Sequence, residues 1–249
     1  MKALAIIPAR YASTRFPGKP LATIGGKPML QHVYENVLHS DLFYNVIIAT
    51  DDKKIYKAAE GWNAHAVMTS NKHQSGTDRC GEVAAAIGEK AIDIIVNVQG
   101  DEPFISAKPL QKLIGLFKNK EVEIATLVQS FENESEIINP NNAKVVLGKD
   151  GRALYFSRAA IPYLRENEGA SLLPYYMKHI GIYAFRAHIL KELVKLESSA
   201  LEKAEKLEQL RWLENGYSIF AAETTYKTLS VDTPEDLKDA EIFYKKINR

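Results

Sequence analysis

The sequence has very little cysteine and almost no net charge. Cys80 is the one thiol among 249 residues, so an intrachain disulfide cannot form, and the repeated Cys or His spacing of a structural zinc site is missing. Lysine and arginine number 32 against 31 aspartates and glutamates, which gives no field suited to holding a polyanion nonspecifically. We therefore expect a protein of the reducing cytoplasm that binds no nucleic acid.

The N-terminal region lacks a long apolar run. Residues 3–7 are a five-residue apolar stretch that Pro8 ends, far shorter than a signal-sequence core or a membrane span. We expect neither export nor membrane insertion.

Hydrophobic residues make up 46% of the chain, which suits one large domain or a domain with a small insertion.

Two common phosphate-binding motifs are also absent. No two of the 14 glycines are separated by a single intervening residue, and neither Gly-Lys-Ser nor Gly-Lys-Thr occurs. The first absence removes the main support for a dinucleotide-dependent oxidoreductase, and the second removes it for a P-loop nucleotidase. A phosphate-binding protein of this sequence needs a different loop.

Strand-like and helix-like stretches alternate in the first half of the chain. Runs rich in β-branched residues recur at 3–7, 46–50 and 92–98, and helical spacing of apolar residues occurs at 29–38 and 83–87. This alternation predicts an α/β fold with a doubly wound, mostly parallel sheet.

The pattern changes past residue 130. The later elements are expected to be a hairpin of 145–147 with 153–156, a strand at 179–185, a charged helical zone at 202–214, a strand at 218–222 and a final helix opened by Thr233. We predict one α/β domain over residues 1–249. Its nucleotide-binding core would comprise 1–130 and 218–249, with a smaller mixed subdomain, 131–217, inserted.

The loop after the first strand carries three cations. Arg10, Arg15 and Lys19 lie within PARYASTRFPGK, residues 8–19, and Ser13 and Gly18 allow a close approach of backbone amides. Ligands bind α/β sheets at the carboxyl ends of the strands, where this loop is expected. The loop is therefore a candidate receptor for a triphosphate, and the alternative is a solvated basic loop.

Two aspartates are candidates for a metal site. Asp101 follows the apolar strand 92–98 and is expected at the same sheet edge as the cationic loop. Asp232 precedes the final helix, where it is also suited to be a helix cap. Two carboxylates with a bound triphosphate are sufficient to hold Mg²⁺, which takes its other ligands from phosphate and water.

The cationic loop resembles the nucleotide-binding signature of sugar nucleotidyltransferases, and its full sequence is similar to that of the 3-deoxy-manno-octulosonate cytidylyltransferase family. The resemblance runs from Ile7 to Leu237 with every motif in order. It implies a nucleotide-diphospho-sugar transferase-like fold that transfers CMP from CTP to an acidic eight-carbon sugar for lipopolysaccharide synthesis. It also implies a homodimer, with residues 131–217 binding the sugar and forming the dimer contact.

The resemblance also implies roles for individual residues. Arg10 and Lys19 would be catalytic, and Asp101 and Asp232 would be both catalytic and ligands of Mg²⁺. The planar guanidinium of Arg158 is suited to the sugar carboxylate. The full set expected to bind substrate is Ser13, Arg15, Ser75, Gly76, Arg79, Gln99, Arg158, His179, Tyr183, Glu208 and Gln209.

Several alternatives remain open from the sequence. The 8-amino analogue is a second candidate sugar. Taken singly, Arg158 is better explained as a surface ion pair, His179 as a satisfied strand histidine, and Glu208 and Gln209 as a solvated helix face; only their joint occurrence in the order of the family favours function. A noncatalytic nucleotide-sensing module and a glycosyltransferase are the rivals of other classes.

Overall fold

The computed structural model describes residues 1–12, 16–88, 92–165, 171–226 and 229–248. The chain forms two compact units. The first comprises Met1–Gln111, Arg186–Val194 and Lys227–Arg249, and the second comprises Lys112–Phe185 and Lys195–Tyr226. The division predicted from the sequence, at residues 130 and 218, separates a nucleotide-binding core from a sugar-binding subdomain. It concerns function and stays a prediction.

The first unit is built on four parallel strands in the order β6, β1, β4, β5. Its strands are β1 (Ala3–Ala9), β2 (Thr23–Ile24), β3 (Lys27–Pro28), β4 (Asn45–Thr50), β5 (Ala66–Met68) and β6 (Ile94–Asn97). The central strand β1 is apolar on both faces, and Ala5, Ile6 and Ile7 are fully buried, as a covered parallel sheet requires. The α/β fold predicted from the alternating pattern is confirmed.

Helices pack against the strands of this unit. The parallel strands contact α1 (Met29–Leu38), α2 (Lys53–Gly61), α3 (Gly76–Ile87) and α6 (Ala187–Leu193), and β2 contacts α9 (Pro234–Ile247). Helix α4 (Ala107–Gly115) begins in this unit and ends in the second. Ile24, Met29, Val231 and Ala240 form one fully buried cluster. This packing fixes the chain immediately before Asp232 to the same unit as β1.

The second unit contains a mixed sheet. Strand β7 (Ile124–Ser130) pairs in parallel with β11 (Ile219–Glu223) and antiparallel with β10 (Met177–Arg186). Strand β10 also pairs with β8 (Lys144–Leu147), which forms an antiparallel hairpin with β9 (Ala153–Ser157). The predicted hairpin and the predicted strand within β10 are confirmed.

The charged zone predicted at 202–214 is not one continuous helix. Two short helices, α7 (Ala200–Glu205) and α8 (Gln209–Glu214), lie on either side of a break, and α5 (Glu134–Ile138) lies earlier in the same unit. The break has a local cause: Lys206 takes a left-handed conformation with φ 54°, which ends α7. None of the helices in the described part of the chain has both the length and the apolar character needed to cross a lipid bilayer.

Candidate active site

The loop after β1 is closed by a backbone hydrogen bond. The amide of Gly18 donates to the carbonyl oxygen of Tyr11 at 2.9 Å, and Gly18 has φ 74°, a conformation that favours glycine. Arg10 lies at the start of this loop, and its Nη2 donates to the carbonyl of Gln74 at 2.6 Å. The predicted Ser13 and Arg15 lie outside the described residues.

Three segments of the first unit meet at the carboxyl end of β1. A Cβ atom on Gly76 would lie 3.1 Å from Cγ of Pro8, and a Cβ atom on Gly100 would lie 3.0 Å from the Pro8 carbonyl oxygen. These distances leave almost no room for a side chain at either position. The starts of α3 and of the loop after β6 are therefore held against the cationic loop, as the position of the strand ends predicts.

Lys19 joins the two predicted metal ligands. Its Nζ lies 2.8 Å from Oδ2 of Asp101 and 3.0 Å from Oδ1 of Asp232. The Lys19 side chain is 13% exposed, whereas those of Asp101 and Asp232 are 28% and 40% exposed. Two carboxylates separated by 131 positions therefore converge on one cation, which is the donor set that a divalent ion with phosphate and water ligands requires.

The electrostatics of this cluster favour a charged lysine. Burial acts to lower the pKa of the Lys19 ammonium, but Asp101 and Asp232 together outweigh burial and raise that pKa above its ordinary value. The amine therefore stays protonated at neutral pH.

Asp232 is not the cap of the final helix. Thr233 is the N-cap of α9, and its hydroxyl accepts a hydrogen bond from the amide of Asp236. The Asp236 carboxylate accepts in return from the amides of Asp232 and Thr233. Burial would raise the pKa of Asp236, but these backbone donors lower it below its ordinary value. The capping box thus leaves the Asp232 carboxylate to bind Lys19.

Three residues expected to bind substrate, Ser75, Gly76 and Arg79, lie where a loop passes into a helix. Helix α3 begins at Gly76, earlier than the helical spacing at 83–87 indicates, so Gly76 and Arg79 lie in its first turn. Ser75 is the N-cap, and its hydroxyl accepts from the amide of Asp78 at 3.0 Å. The helix cap does not use every polar atom of this segment, so substrate binding by Ser75 and Gly76 stays a prediction.

Arg79 is fully buried and supports this segment from within. Its Nη2 lies 3.0 Å from Oδ2 of Asp51, and its Nη1 donates to the Thr69 hydroxyl. These contacts connect the ends of β4 and β5 to the first turn of α3. The substrate-binding role of Arg79 stays a prediction.

Gln99 is half-buried, and its Nε2 lies 3.5 Å from Oδ1 of Asn97 at the end of β6.

In the second unit, four predicted sugar-binding residues share one region. The rings of His179 and Tyr183 have centroids 5.3 Å apart, and Tyr183 packs edge-on against Trp212 of α8 at 5.0 Å. Gln209 is the first residue of α8, and Glu208 precedes it. Burial and then the Glu208 carboxylate raise the pKa of Tyr183 well above its ordinary value, so its phenol stays protonated.

The hydrogen bonds of Thr126 fix the tautomer of His179. Oγ1 of Thr126 donates towards the carbonyl oxygens of Ile180 and Ile182, at 3.1 and 2.9 Å, so it accepts from Nε2 of His179 at 3.0 Å. The other ring nitrogen, Nδ1, is then the acceptor. A bulge in β10 between Ile180 and Tyr183 brings both carbonyls to the Thr126 hydroxyl.

Three buried polar groups of this region lack partners. Within the described residues, Oη of Tyr183, Nε2 of Gln209 and Nε1 of Trp212 are buried and make no hydrogen bond. Leaving such groups unsatisfied costs about 1–3 kcal/mol each, so native structures rarely do so without reason. A ligand carrying several hydroxyl groups would supply the missing partners.

The guanidinium of Arg158 is bound to backbone carbonyls. Nε donates to Glu205 at 2.7 Å, Nη1 to Pro140 at 2.8 Å and Nη2 to Lys206 at 3.2 Å. These contacts hold the end of α7 and the turn before β8 together. The predicted bond to a sugar carboxylate stays a prediction, and it would have to use the remaining N–H groups of the guanidinium.

The sequence gives no signal for Lys144, which the structure places beside Arg158. Lys144 is 0% exposed, and its Nζ donates to the carbonyls of Asn139, Asn142 and Arg158 at 3.1, 2.6 and 2.5 Å. A lysine at the start of a short strand normally points to solvent, so the position of Lys144 in the sequence does not indicate that it is buried. Glu205, which accepts from the Ser157 hydroxyl at 2.6 Å, gives no signal either because it lies in a run of charged helical residues.

His179 provides a test of this region through the pH dependence of stability. Burial lowers the pKa of His179 to about 3, whereas an unfolded histidine titrates near 6.5. Below pH 6.5 the unfolded state therefore binds a proton that the folded state does not, and stability falls until about pH 3. We expect His179→Gln to lose less stability than the wild type, by about 1.2 kcal/mol, between pH 6 and 5.

Urea denaturation at both pH values measures this difference. The exposed His39→Gln serves as control and should retain the wild-type dependence. If the free energy of unfolding falls equally between pH 6 and 5 in the wild type and in His179→Gln, His179 is protonated in the folded protein.

Comparisons with known proteins identify the family that the chain resembles. The cytidylyltransferase family matches residues 4–241. A 3-deoxy-manno-octulosonate cytidylyltransferase of Parabacteroides distasonis is 52% identical over 249 residues and covers 98% of each chain. That of Thermodesulfovibrio yellowstonii is 47% identical and covers 97% of each.

Solved structures extend the likeness. CMP:2-keto-3-deoxy-manno-octonic acid synthetase complexed with CTP has a TM-score of 0.91 and 41% identity, and the match covers 99% of this chain and 100% of that one. The 4-diphosphocytidyl-2C-methyl-D-erythritol synthase of Anaerococcus prevotii has a TM-score of 0.65 at 14% identity, over 98% of this chain and 99% of that one. The second likeness concerns the fold alone.

Proposed function

The chain belongs to the 3-deoxy-manno-octulosonate cytidylyltransferases, which are nucleotidyltransferases, and we propose that it transfers CMP from CTP to 3-deoxy-D-manno-octulosonate and releases pyrophosphate. The observation that carries this proposal is the convergence of Asp101 and Asp232 on Lys19, on the loop that follows β1 and begins at Arg10. A triphosphate and its metal ion require this combination of anionic and cationic groups.

The proposed reaction is a direct in-line displacement. The anomeric hydroxyl of the sugar attacks the α-phosphorus of CTP and gives up its proton to water. The new P–O bond forms, and the bond from the α-phosphorus to the oxygen that bridges it to the β-phosphorus breaks, so that pyrophosphate leaves. Arg10 and Lys19 stabilise the negative charge of the departing pyrophosphate. Cys80 is fully buried and takes no part, so no covalent enzyme intermediate is needed.

We propose Mg²⁺ as the metal and Asp101 with Asp232 as its protein ligands. No group of three or more His, Cys, Asp or Glu side chains suited to a metal occurs among the described residues. The pair nevertheless fits Mg²⁺, because the two carboxylates already converge on one cation and a phosphate with water supplies the other ligands. When bound, Mg²⁺ neutralises charge at the reacting phosphate.

The second unit is proposed to bind the acidic sugar. His179 offers Nδ1 as an acceptor, Tyr183 offers a protonated phenol, and Gln209 offers an amide without a partner within the described residues. These groups suit hydroxyls. Glu208 adds a carboxylate acceptor beside Tyr183, and Arg158 is proposed to bind the sugar carboxylate.

Pyrophosphate release tests the proposal. The purified protein with Mg²⁺ is given each of the four nucleoside triphosphates together with 3-deoxy-D-manno-octulosonate or its 8-amino analogue. We expect rapid release with CTP and the unsubstituted sugar. A preference for the 8-amino sugar would change the acceptor, while release of nothing with CTP would favour a noncatalytic nucleotide-binding protein.

Arg158→Ala is expected to weaken binding of the sugar about 10-fold to 100-fold, because hydrogen bonds to a charged group contribute about 1.5–3 kcal/mol. Binding of CTP should stay close to normal. Calorimetric titration with each substrate measures both. Arg152→Ala, which removes a half-exposed arginine of the same unit, is the control. Loss of CTP binding with normal sugar binding would assign Arg158 to the nucleotide.

We further propose that the product serves lipopolysaccharide synthesis in the cytoplasm and that the protein is a homodimer. The second unit exposes Ile138, Leu154, Tyr163 and Tyr175, at 73%, 62%, 86% and 57%, and apolar side chains of this kind are available for an association between copies. Sedimentation equilibrium gives the mass in solution, and a monomer at all concentrations would overturn the homodimer.

A further inference from the structure

The ammonium of Lys19 occupies the point on which the two proposed metal ligands converge. It contacts both carboxylates at hydrogen-bonding distance, 2.8 Å from Asp101 and 3.0 Å from Asp232. Lys19 is also one of the two cations that we assign to the departing pyrophosphate. The ammonium cannot contact both the two carboxylates and the pyrophosphate from one position. It also cannot stay between the carboxylates when a divalent cation binds them.

We propose that Lys19 and a divalent cation compete for the Asp101–Asp232 pair, so that metal binding displaces the ammonium and releases it to bind a phosphate oxygen. This inference rests on the proposed metal role of the two aspartates. In the free protein Lys19 prevents the repulsion of two neighbouring carboxylates. With metal and nucleotide bound, its charge is used elsewhere in the same site.

The backbone around Lys19 allows this exchange without refolding. The amide of Lys19 donates to the carbonyl of Phe16 at 3.2 Å, and its carbonyl accepts from the amide of Ala22 at 3.0 Å. The main chain is thus fixed in a tight turn that begins at Lys19. The four-carbon side chain carries a point charge with three rotatable donors, so a change of rotamer is sufficient to move the ammonium.

Competition has a thermodynamic consequence for the metal alone. In the wild type, a cation that binds without nucleotide must first break the two contacts of the ammonium. A triphosphate supplies a new partner for that ammonium, and it should therefore increase metal affinity more in the wild type than in a variant without the charge. Removing the Lys19 charge should increase metal affinity in the absence of nucleotide.

Binding of Mn²⁺ to the nucleotide-free protein tests the proposal. Mn²⁺ replaces Mg²⁺, and the electron paramagnetic resonance signal of free Mn²⁺ gives the bound fraction. We expect Lys19→Met to bind Mn²⁺ about 10-fold to 100-fold more tightly than the wild type, since a hydrogen bond to a charged group is equivalent to one or two orders of magnitude in affinity. Lys27→Met removes the ion pair of Lys27 with Glu35, elsewhere in this unit, and should bind as the wild type does.

A second variant protects the test against misfolding. Lys19→Gln keeps a polar side chain and should also bind Mn²⁺ more tightly, and its melting temperature should rise more with Mn²⁺ than that of the wild type. Mn²⁺ affinity equal to or below the wild-type value in both variants overturns the competition. Normal Mn²⁺ binding by Asp101→Asn is a separate outcome, which would instead remove the metal role on which the inference rests.

Discussion

Asp101→Asn is expected to fold normally and to lose about 10³-fold or more in the rate of pyrophosphate release. A metal ion contributes several kcal/mol of charge stabilisation to a transition state, and each 1.36 kcal/mol is a factor of ten in rate. Asparagine keeps the size of the side chain but removes the negative charge that a divalent cation needs. The rate measured with saturating CTP and sugar over a range of Mg²⁺ concentrations gives the effect.

The structure explains why this variant should still fold. The backbone carbonyl of Asp101 accepts from the amide of Val231 at 3.0 Å, and the substitution leaves this contact unchanged. Lys19 keeps Asp232 as a charged partner at 3.0 Å. The site is therefore altered in charge and hardly at all in shape.

Asp41→Asn is the matched control for this experiment. Asp41 is exposed and has φ 55°, a conformation that asparagine adopts readily, so the variant changes the net charge by the same amount without strain. We expect wild-type activity for Asp41→Asn. Turnover of Asp101→Asn within a few-fold of that control would remove Asp101 from the mechanism.

The first unit could be predicted from local patterns. Helix α1 has the predicted bounds because its apolar residues recur at helical spacing, and β1 and β4 follow from short apolar runs bounded by turn residues. Strand β5 has three residues and too little pattern to detect. The left-handed Lys206 that divides α7 from α8 is also beyond such patterns, since lysine has no preference for this conformation.

The candidate site is only partly contained in local sequence. The rule that ligands bind at the carboxyl ends of strands is sufficient to place Asp101 near the cationic loop. Asp232 lies 213 positions from Lys19, and only the resemblance to a family linked the two. The capping box of Thr233 and Asp236 shows why the local pattern was ambiguous, because a helix start with neighbouring acidic residues provides several candidate caps.

Lys144→Met is expected to destabilise the protein by about 2–4 kcal/mol, because three carbonyl groups lose a charged donor inside a closed loop network. The Lys144 ammonium holds the turn with Asn139 and Asn142 to the end of β9 at Arg158. Arg158 makes the return contact to Pro140 at 2.8 Å. Since each contact orients the partner of the other, the loss should exceed that of a single surface hydrogen bond.

Urea denaturation of the second unit within the full chain measures the loss, with tryptophan fluorescence as a probe because Trp212 is fully buried there. Lys178→Met is the control. Lys178 lies on the adjoining strand β10, and its ammonium makes a long contact of 3.7 Å with Glu136, so its removal should cost within about 0.5 kcal/mol. Because the network carries Arg158, we also expect Lys144→Met to weaken sugar binding while CTP binding stays normal. A loss below about 1 kcal/mol would mean that water replaces the ammonium at all three carbonyls, and that Arg158 is held in place without it.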